Sequence, residues 1–323
     1  MSSNNSRYPA QPLDFAGLKT VSLYSRGGKV TVDHFAAPSK QGAPAGRFLD
    51  SLPKLLAADS LRSVVTALEA ARAGGRGIMW GLGGHVIKCG LAPVLLDLMR
   101  RGWVTSFVLN GAAAIHDLEI AMAGYTSEDV EAVLPDGTFG SAEETGREIN
   151  RAFAEARRDG IGAGEALGRL AQEVADPRFA SQSLLVEAWR ANIPVTVHIA
   201  VGTDTPHTHP KAVAEDIGFA THTDFRLMSS LVRGIDQGGV FLNVGSAVVL
   251  PEVFLKAVST VRNLGYPLGA FTTVNFDFLQ HYRPKVNVVE RPHAQKGGKG
   301  YSLTGHHEIM IPLLAAILID RAL

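Results

Sequence analysis

Five times along this chain a short apolar run passes through a small-residue turn into a segment of helical periodicity, and few folds accept that rhythm. The runs are "IMWGL", "VTSFVLN", "IPVTVHI", "GVFLNV" and "FTTVNFD". Each is nearly continuous in apolar character, which marks strands buried on both faces. Strands that alternate with helices build an α/β fold, a doubly wound, mostly parallel sheet covered by helices on both faces. Ligands of such sheets collect at the carboxyl ends of the strands. The residues that follow each run are therefore the ones to read for chemistry.

Before the first run, residues 1–45 read as an N-terminal arm with two short strands, "LKTVSLYS" and "KVTVDHF". Residues 46–323 read as a single α/β domain. Lysine plus arginine equals aspartate plus glutamate at 31 each, so nothing in the charge balance points to nucleic acid. The opening "MSSNNSRYPAQPLDF" has no apolar core, and the run "IMIPLLAAILI" is too short to span a bilayer. A soluble, cytoplasmic chain without a membrane partner is the expectation. The single cysteine, Cys89, excludes an internal disulfide and a thiolate zinc cluster.

The first strand is followed by "GLGGHVIKCG", with Gly81, Gly83, Gly84, His85 and Lys88, and then by one helix over 86–101. A third glycine of a GxGxxG would fall at Val86, so the dinucleotide fingerprint is not met. A glycine-softened turn and an anion-holding loop both remain open on this stretch alone. Lys88, flanked by Ile87 and Cys89, reads as a desolvated amine, or as a lysine reaching out to solvent or a phosphate. Cys89 reads as a small core residue. The second strand is followed by Asn110, Gly111, His116 and Asp117, and the third by Thr203, Asp204, His207 and His209. The fourth is followed by Gly245 and Ser246 after Asn243, and the fifth ends at Asp277. Asn110 and Asp204 also suit plain turn chemistry, since their side chains bond nearby backbone. Histidines near Asp204 (His198, His207, His209, His222) invite a zinc reading, although no HExxH pair is present. The glycine-rich loop with Lys296 and Lys299 reads as a solvated loop or a mobile lid.

The order of these motifs resembles the deoxyhypusine synthase family, from about Leu49 to the C-terminus. "WGLGGHVIKCGLAPVLLDLMRRGWV", "NGAAAIHDLEIAMAG", "IPVTVHIAVGTD", "GGVFLNVGSAVVLPEVFLKAV", "TTVNFDFLQHYRP" and "YSLTGHHEIMIPLLAAIL" occur in the family's order. The resemblance implies a Rossmann-like fold, NAD as cofactor and a homotetramer built as a dimer of dimers. It places Gly81, Gly83, Gly84, His85, Asn110, Gly111, Thr203, Asp204, Asn243, Gly245 and Ser246 on the cofactor. By position, the family's imine-forming lysine falls at or next to Leu250, which cannot form an imine. Ile115 and His116 replace acidic residues that follow the second strand in the family, and only Asp117 is kept.

These readings converge on an NAD-dependent enzyme for a small amine or polyamine-type substrate, distinct from a true deoxyhypusine synthase. His116 or His207 serves as general base, with Asp204, Asn243 and Asp277 orienting cofactor ribose and substrate and Lys88 or Lys256 as a substitute amine. No metal is assigned in this reading. Two alternatives are a metal-dependent hydrolase using His207, His209 and His222, or His306, His307 and Glu308, and a non-catalytic NAD-binding protein.

Overall fold

The structure is a computed structural model that describes residues 9–10, 12–38, 40–294 and 297–322. Helices α1 (Ala45–Ser51) and α2 (Leu56–Ala73) lead into strand β1 (Ile78–Leu82). There follow α3 (Gly84–Lys88), α4 (Ala92–Arg100), β2 (Ser106–Asn110), α5 (Gly111–Ala123) and α6 (Val130–Val133). Next come α7 (Glu143–Asp159), α8 (Ala163–Val174), α9 (Leu184–Arg190), β3 (Val195–His198) and α10 (Ala214–Arg233). The chain closes with β4 (Val240–Val244), α11 (Val249–Asn263), β5 (Thr272–Asp277), α12 (Tyr282–Pro284), β6 (Lys299–Thr304) and α13 (His307–Arg321).

The six strands lie in the order β3-β2-β1-β4-β5-β6, and every pairing is parallel. Chain order reverses between β1 and β4, and this topological switch opens the crevice in which such sheets hold ligands. Strand alternation sorts the core onto two faces. Trp80, Leu82, Phe107, Leu109 and Leu242 pack with α2, α4 and α5 on one face. Met79, Val108 and Phe241 pack with α10 and α11 on the other. Gly81 shares a face with Met79, where a Cβ would stand 3.1 Å from Phe241 and 3.4 Å from the Leu250 side chain. It is therefore a strand residue whose lack of a side chain admits Phe241, itself stacked on Phe254 at 3.9 Å.

Several sequence expectations shift. The arm carries no strand among its described residues. "LKTVSLYS" runs through turns, and "KVTVDHF" contains a short 3-10 helix at Val32–His34, with its apolar side chains exposed. A strand needs a neighbour to receive its backbone groups, and the arm has none. The helix expected over 86–101 breaks at Gly90, whose φ of +71° favours glycine. Lys299 opens β6, and Lys296 lies outside the described residues. No helix of the described residues is long and apolar enough to cross a membrane.

One buried carboxyl closes the edge of the sheet. β3 is an edge strand, and Asp224 on α10 accepts from its Val197 amide at 2.6 Å and from the Gly164 amide at 2.7 Å. A single carboxyl thus ties the edge strand to the start of α8. Burial pushes Asp224 up to about 7, against the hydrogen bonds from Val197 and Gly164. The unfolded chain releases this proton near pH 4, so between about pH 4 and 7 the folded state holds a proton that the unfolded state has lost. Stability from this group is greatest on the acid side and falls as pH rises through that window, by up to about 1.4 kcal/mol per unit. Asp224→Asn keeps the acceptor and cannot ionise. It is expected to flatten the dependence of urea-unfolding midpoints between about pH 4.5 and 7.5. An unchanged slope would show that another group titrates there.

Candidate functional site

The floor of the crevice is backbone. The Gly83 amide donates to the Val244 carbonyl at 2.9 Å, and a Cβ on Gly83 would lie 2.0 Å from the Gly245 carbonyl oxygen. Gly245 itself turns with φ +68°. The loops after β1 and β4 therefore touch without an intervening side chain. A Cβ on Gly84 would stand 2.9 Å from Ala112 Cβ and 3.2 Å from His116 Cδ2, so the same loop rests against α5. Gly83 and Gly84 thus serve close packing of three segments, whatever they also offer a ligand.

On the β2 side, Asn110 caps α5 by accepting from the Ala113 amide at 2.9 Å. Gly111 makes room for the Asp204 carboxylate, which a Cβ there would meet at 2.1 Å. Asp204 accepts from the Ala200 amide at 2.9 Å, and burial raises its carboxyl against that bond and the nearby His207. His207 Nδ1 accepts from the Gly202 amide at 3.3 Å. Gly111, Ile115, Phe153, Val197, Asp204 and His207 are among the walls of a narrow cleft whose free volume of about 10 Å³ is room for one water. Thr203 is exposed and donates to the Ala200 carbonyl.

His116 has a wired ring. Its Nδ1 lies 2.7 Å from Thr126 Oγ1, the Thr126 hydroxyl donates to Glu119, and the Thr145 hydroxyl donates to the other Glu119 oxygen at 3.0 Å. Thr126 has one proton and gives it to the carboxylate, so it accepts from His116 Nδ1–H. In neutral His116 the lone pair then sits on Nε2, beside the Cδ2 that touches the Gly84 loop. Burial pushes Glu119 up, but hydrogen bonds from His116, Thr126 and Thr145 outweigh it and hold the carboxyl below its usual range. Asp117, by contrast, is fully buried against the start of α9, where it accepts from Ser183 Oγ, Leu184 and Leu185 at 2.6, 2.8 and 2.9 Å. Its role is to hold that helix.

On the β5 side, Asn243 is fully buried, donating to the Ser246 carbonyl at 2.9 Å and to Asn275 Oδ1 at 2.7 Å, while its own Oδ1 has no partner. Ser246 is buried and its hydroxyl accepts from the Leu250 amide. Asp277, at the end of β5, is 4% exposed and lies 3.9 Å from His307 Nε2. That nitrogen donates to the Phe276 carbonyl at 3.1 Å, and burial depresses the imidazole.

The predicted residues thus gather at one edge of the sheet, in two groups joined where Gly84 meets His116. Gly81 belongs to the packed interior of β1 and not to the loop. Lys88 is exposed, which removes the desolvated-amine reading. Cys89 is half-exposed rather than a core residue. Neither proposed metal set forms a ligand cluster among the described residues, and of the second only His306 and Glu308 pair, at 3.9 Å. His198 is buried, where desolvation lowers it to about 3; His209 pairs with Glu143 at 3.1 Å; His222 is exposed. Sequence reading missed Glu119, Thr126 and Thr145, although the i, i+3 spacing of His116 and Glu119 on one helix was a usable signal.

A parallel sheet that reverses order beneath a glycine-built crevice defines a Rossmann-like, doubly wound α/β protein. No family model and no curated protein matches the sequence. Solved structures match its shape. A candidate deoxyhypusine synthase from Entamoeba histolytica has a TM-score of 0.51 at 11% identity, over 88% of this chain and 96% of that one. A conserved candidate LOR/SDH protein from Methanococcus maripaludis S2 gives 0.50 at 15% identity, over 88% and 72%. Unliganded AgrE gives 0.52 at 17% identity over 81% of this chain, which spans 33% of AgrE's length. The chain therefore has the deoxyhypusine-synthase-like fold.

Gly83→Ala drives its methyl into a backbone oxygen that cannot swing aside, and is expected to cost about 2–4 kcal/mol. Gly90→Ala meets open space and only an unfavourable φ, and is expected to cost about 1 kcal/mol. Thermal unfolding of the two variants compares them directly. Equal losses would deny the Gly83–Gly245 contact its structural weight.

Proposed function

We propose that this chain is an NAD-dependent enzyme with a deoxyhypusine-synthase-like fold, acting on a small amine or related hydroxylated substrate. The observation that carries the reading is the wired His116, an imidazole whose unprotonated Nε2 belongs to the ring edge beside the switch-point loop. A substrate carbon that loses a hydride must also release a proton from its nitrogen or oxygen. His116 Nε2 takes that proton, and Glu119, through Thr126, stabilises the imidazolium that forms. Asp204 and Glu119 supply carboxylates that suit a cationic amine.

NAD, when bound, supplies the hydride acceptor. The fit of the crevice to it rests on the glycine loops after β1 and β4, where Gly83 and Gly245 meet with no side chain between them, and on the buried, unpartnered Asn243 Oδ1 beside Ser246. In this reading Gly83, Gly84, His85, Gly245 and Ser246 line the diphosphate, and Asn110, Gly111, Thr203 and Asp204 line a ribose. His207 and Asp277 orient substrate from either side. The one-water cleft beside Asp204 implies that loops separate when substrate enters. Residues 46–323 act as one domain. Exposed Leu13, Phe15 and Leu18 on the arm support contacts between copies in a homo-oligomer.

Leu250 separates this proposal from imine-mediated aminobutyl transfer. Its side chain is wholly buried beneath Gly81. No amine acts there.

The test is to denature untagged protein, assay the supernatant for NAD, and titrate NAD against the stripped protein by calorimetry. Turnover is then read as NADH absorbance with a panel of amines, spermidine first. His116→Ala is expected to lower turnover by about 10²–10⁴-fold while NAD binding is kept. Glu119→Gln is expected to lower it less and to shift its pH profile. Absence of NAD binding at millimolar concentration would remove the cofactor. Binding without turnover on any amine would favour the non-catalytic alternative, and undiminished turnover in His116→Ala would remove the base.

A further inference from the structure

A second cluster of reactive side chains stands at the mouth of the crevice, outside the His116 relay. One turn of α3 brings His85 and Cys89 together, because the Cys89 amide donates to the His85 carbonyl at 2.9 Å. His85 Nε2 then lies 3.3 Å from Cys89 Sγ. From the other end of the sequence, the first turn of α13 places Glu308 Oε2 3.8 Å from the same sulfur. One ligand atom from each of the three residues falls within 4.8 Å of the other two. With bonds of about 2.3 Å to sulfur and about 2.0 Å to nitrogen or oxygen, donors around a tetrahedral zinc stand about 3.3–3.5 Å apart. The cluster needs only side-chain adjustment to reach that spacing.

We propose that His85, Cys89 and Glu308 form a three-ligand site for Zn²⁺, with the fourth position open to the crevice. The donor set selects the ion. Thiolate and imidazole favour zinc over magnesium or calcium, and three protein ligands with one open position are the pattern of a catalytic rather than a structural centre. The open position would take an oxygen or nitrogen of a small ligand.

The surroundings agree. Glu308 makes its one ion pair among the described residues with His306, at 3.9 Å. No described lysine or arginine therefore neutralises a carboxylate held beside a thiol. His307, 1% exposed, stands edge-on to His85 with ring centroids 5.4 Å apart, and its Nδ1 has no partner. Phe278 packs against His85, His306 and His307 and gives the cluster an apolar flank. The proposal does not rest on the NAD reading. It replaces that reading's His85 contact and leaves the others in place.

The experiment uses full-length untagged protein, stripped with chelator and titrated first with ZnCl₂ against a chromophoric competitor, then with CoCl₂. The expected result is one zinc per chain with sub-micromolar affinity, and a thiolate-to-cobalt charge-transfer band in the near ultraviolet. Cys89→Ser is expected to abolish the band, and Glu308→Gln and His85→Ala to weaken zinc at least tenfold. Circular dichroism of each variant checks the fold. No stoichiometric zinc, or binding without the thiolate band, or affinity unchanged in Cys89→Ser, would each overturn the site. None of these readouts depends on NAD or on turnover.

Discussion

The contact of Gly83 with Gly245 is the constraint on which the rest of this edge depends. Two loops from strands adjacent in space, but more than 150 residues apart in the chain, meet backbone to backbone with a Cβ-to-oxygen allowance of 2.0 Å. Everything beside them inherits its position. Gly84 presses on Ala112 and His116, which fixes α5, and His307 packs against Gly245, which fixes the start of α13. His85 and Glu308 therefore meet for the same reason that His116 meets the β1 loop. The sheet reverses order here and the loops have no side chains to hold them apart.

A second theme is how buried carboxyls are used. Asp117 and Asp224 have the burial and raised carboxyls that mark functional acids, yet Asp117 is spent on the start of α9 and Asp224 on an edge-strand amide and the start of α8. Glu119 differs. It receives only side-chain donors, two hydroxyls and the imidazole relayed through one of them, and its carboxyl is lowered despite burial. A lowered carboxylate that orients an imidazole suits the proposed relay, whereas a carboxyl that closes an edge strand serves the fold. The partners tell them apart, not the size of the shift.

Five strands were legible because each is buried on both faces, and continuous apolar runs have little else to become. β6 escaped because it is an edge strand with half-exposed residues behind a glycine-rich lead. The arm misled in the opposite direction: its apolar alternation resembles a strand, but alternation without a neighbouring strand makes none. Glycine was only partly legible. Gly81, Gly83 and Gly84 read as one glycine turn, and in packing they do three separate things: Gly81 admits Phe241, Gly83 touches Gly245 and Gly84 admits His116. Sequence shows where a side chain is absent but not what fills the space. Long-range meetings were out of reach for the same reason, since Cys89 and Glu308 lie 219 positions apart.

Leu250 is informative in this light. A lysine at that position would have to carry its amine out of a core made by Gly81, Phe241 and Phe254, and Gly81 admits that core only because it has no side chain. Leu250 is thus part of the packing and not an isolated surface position. The β1 strand, the stacked phenylalanines and α11 are packed around an aliphatic residue, so an amine introduced there alone would be a buried charge without a partner. The proposed chemistry at this crevice therefore falls to groups on its other walls. The fold assembles two constellations beside the same glycine loop, the His116 relay and the His85–Cys89–Glu308 cluster.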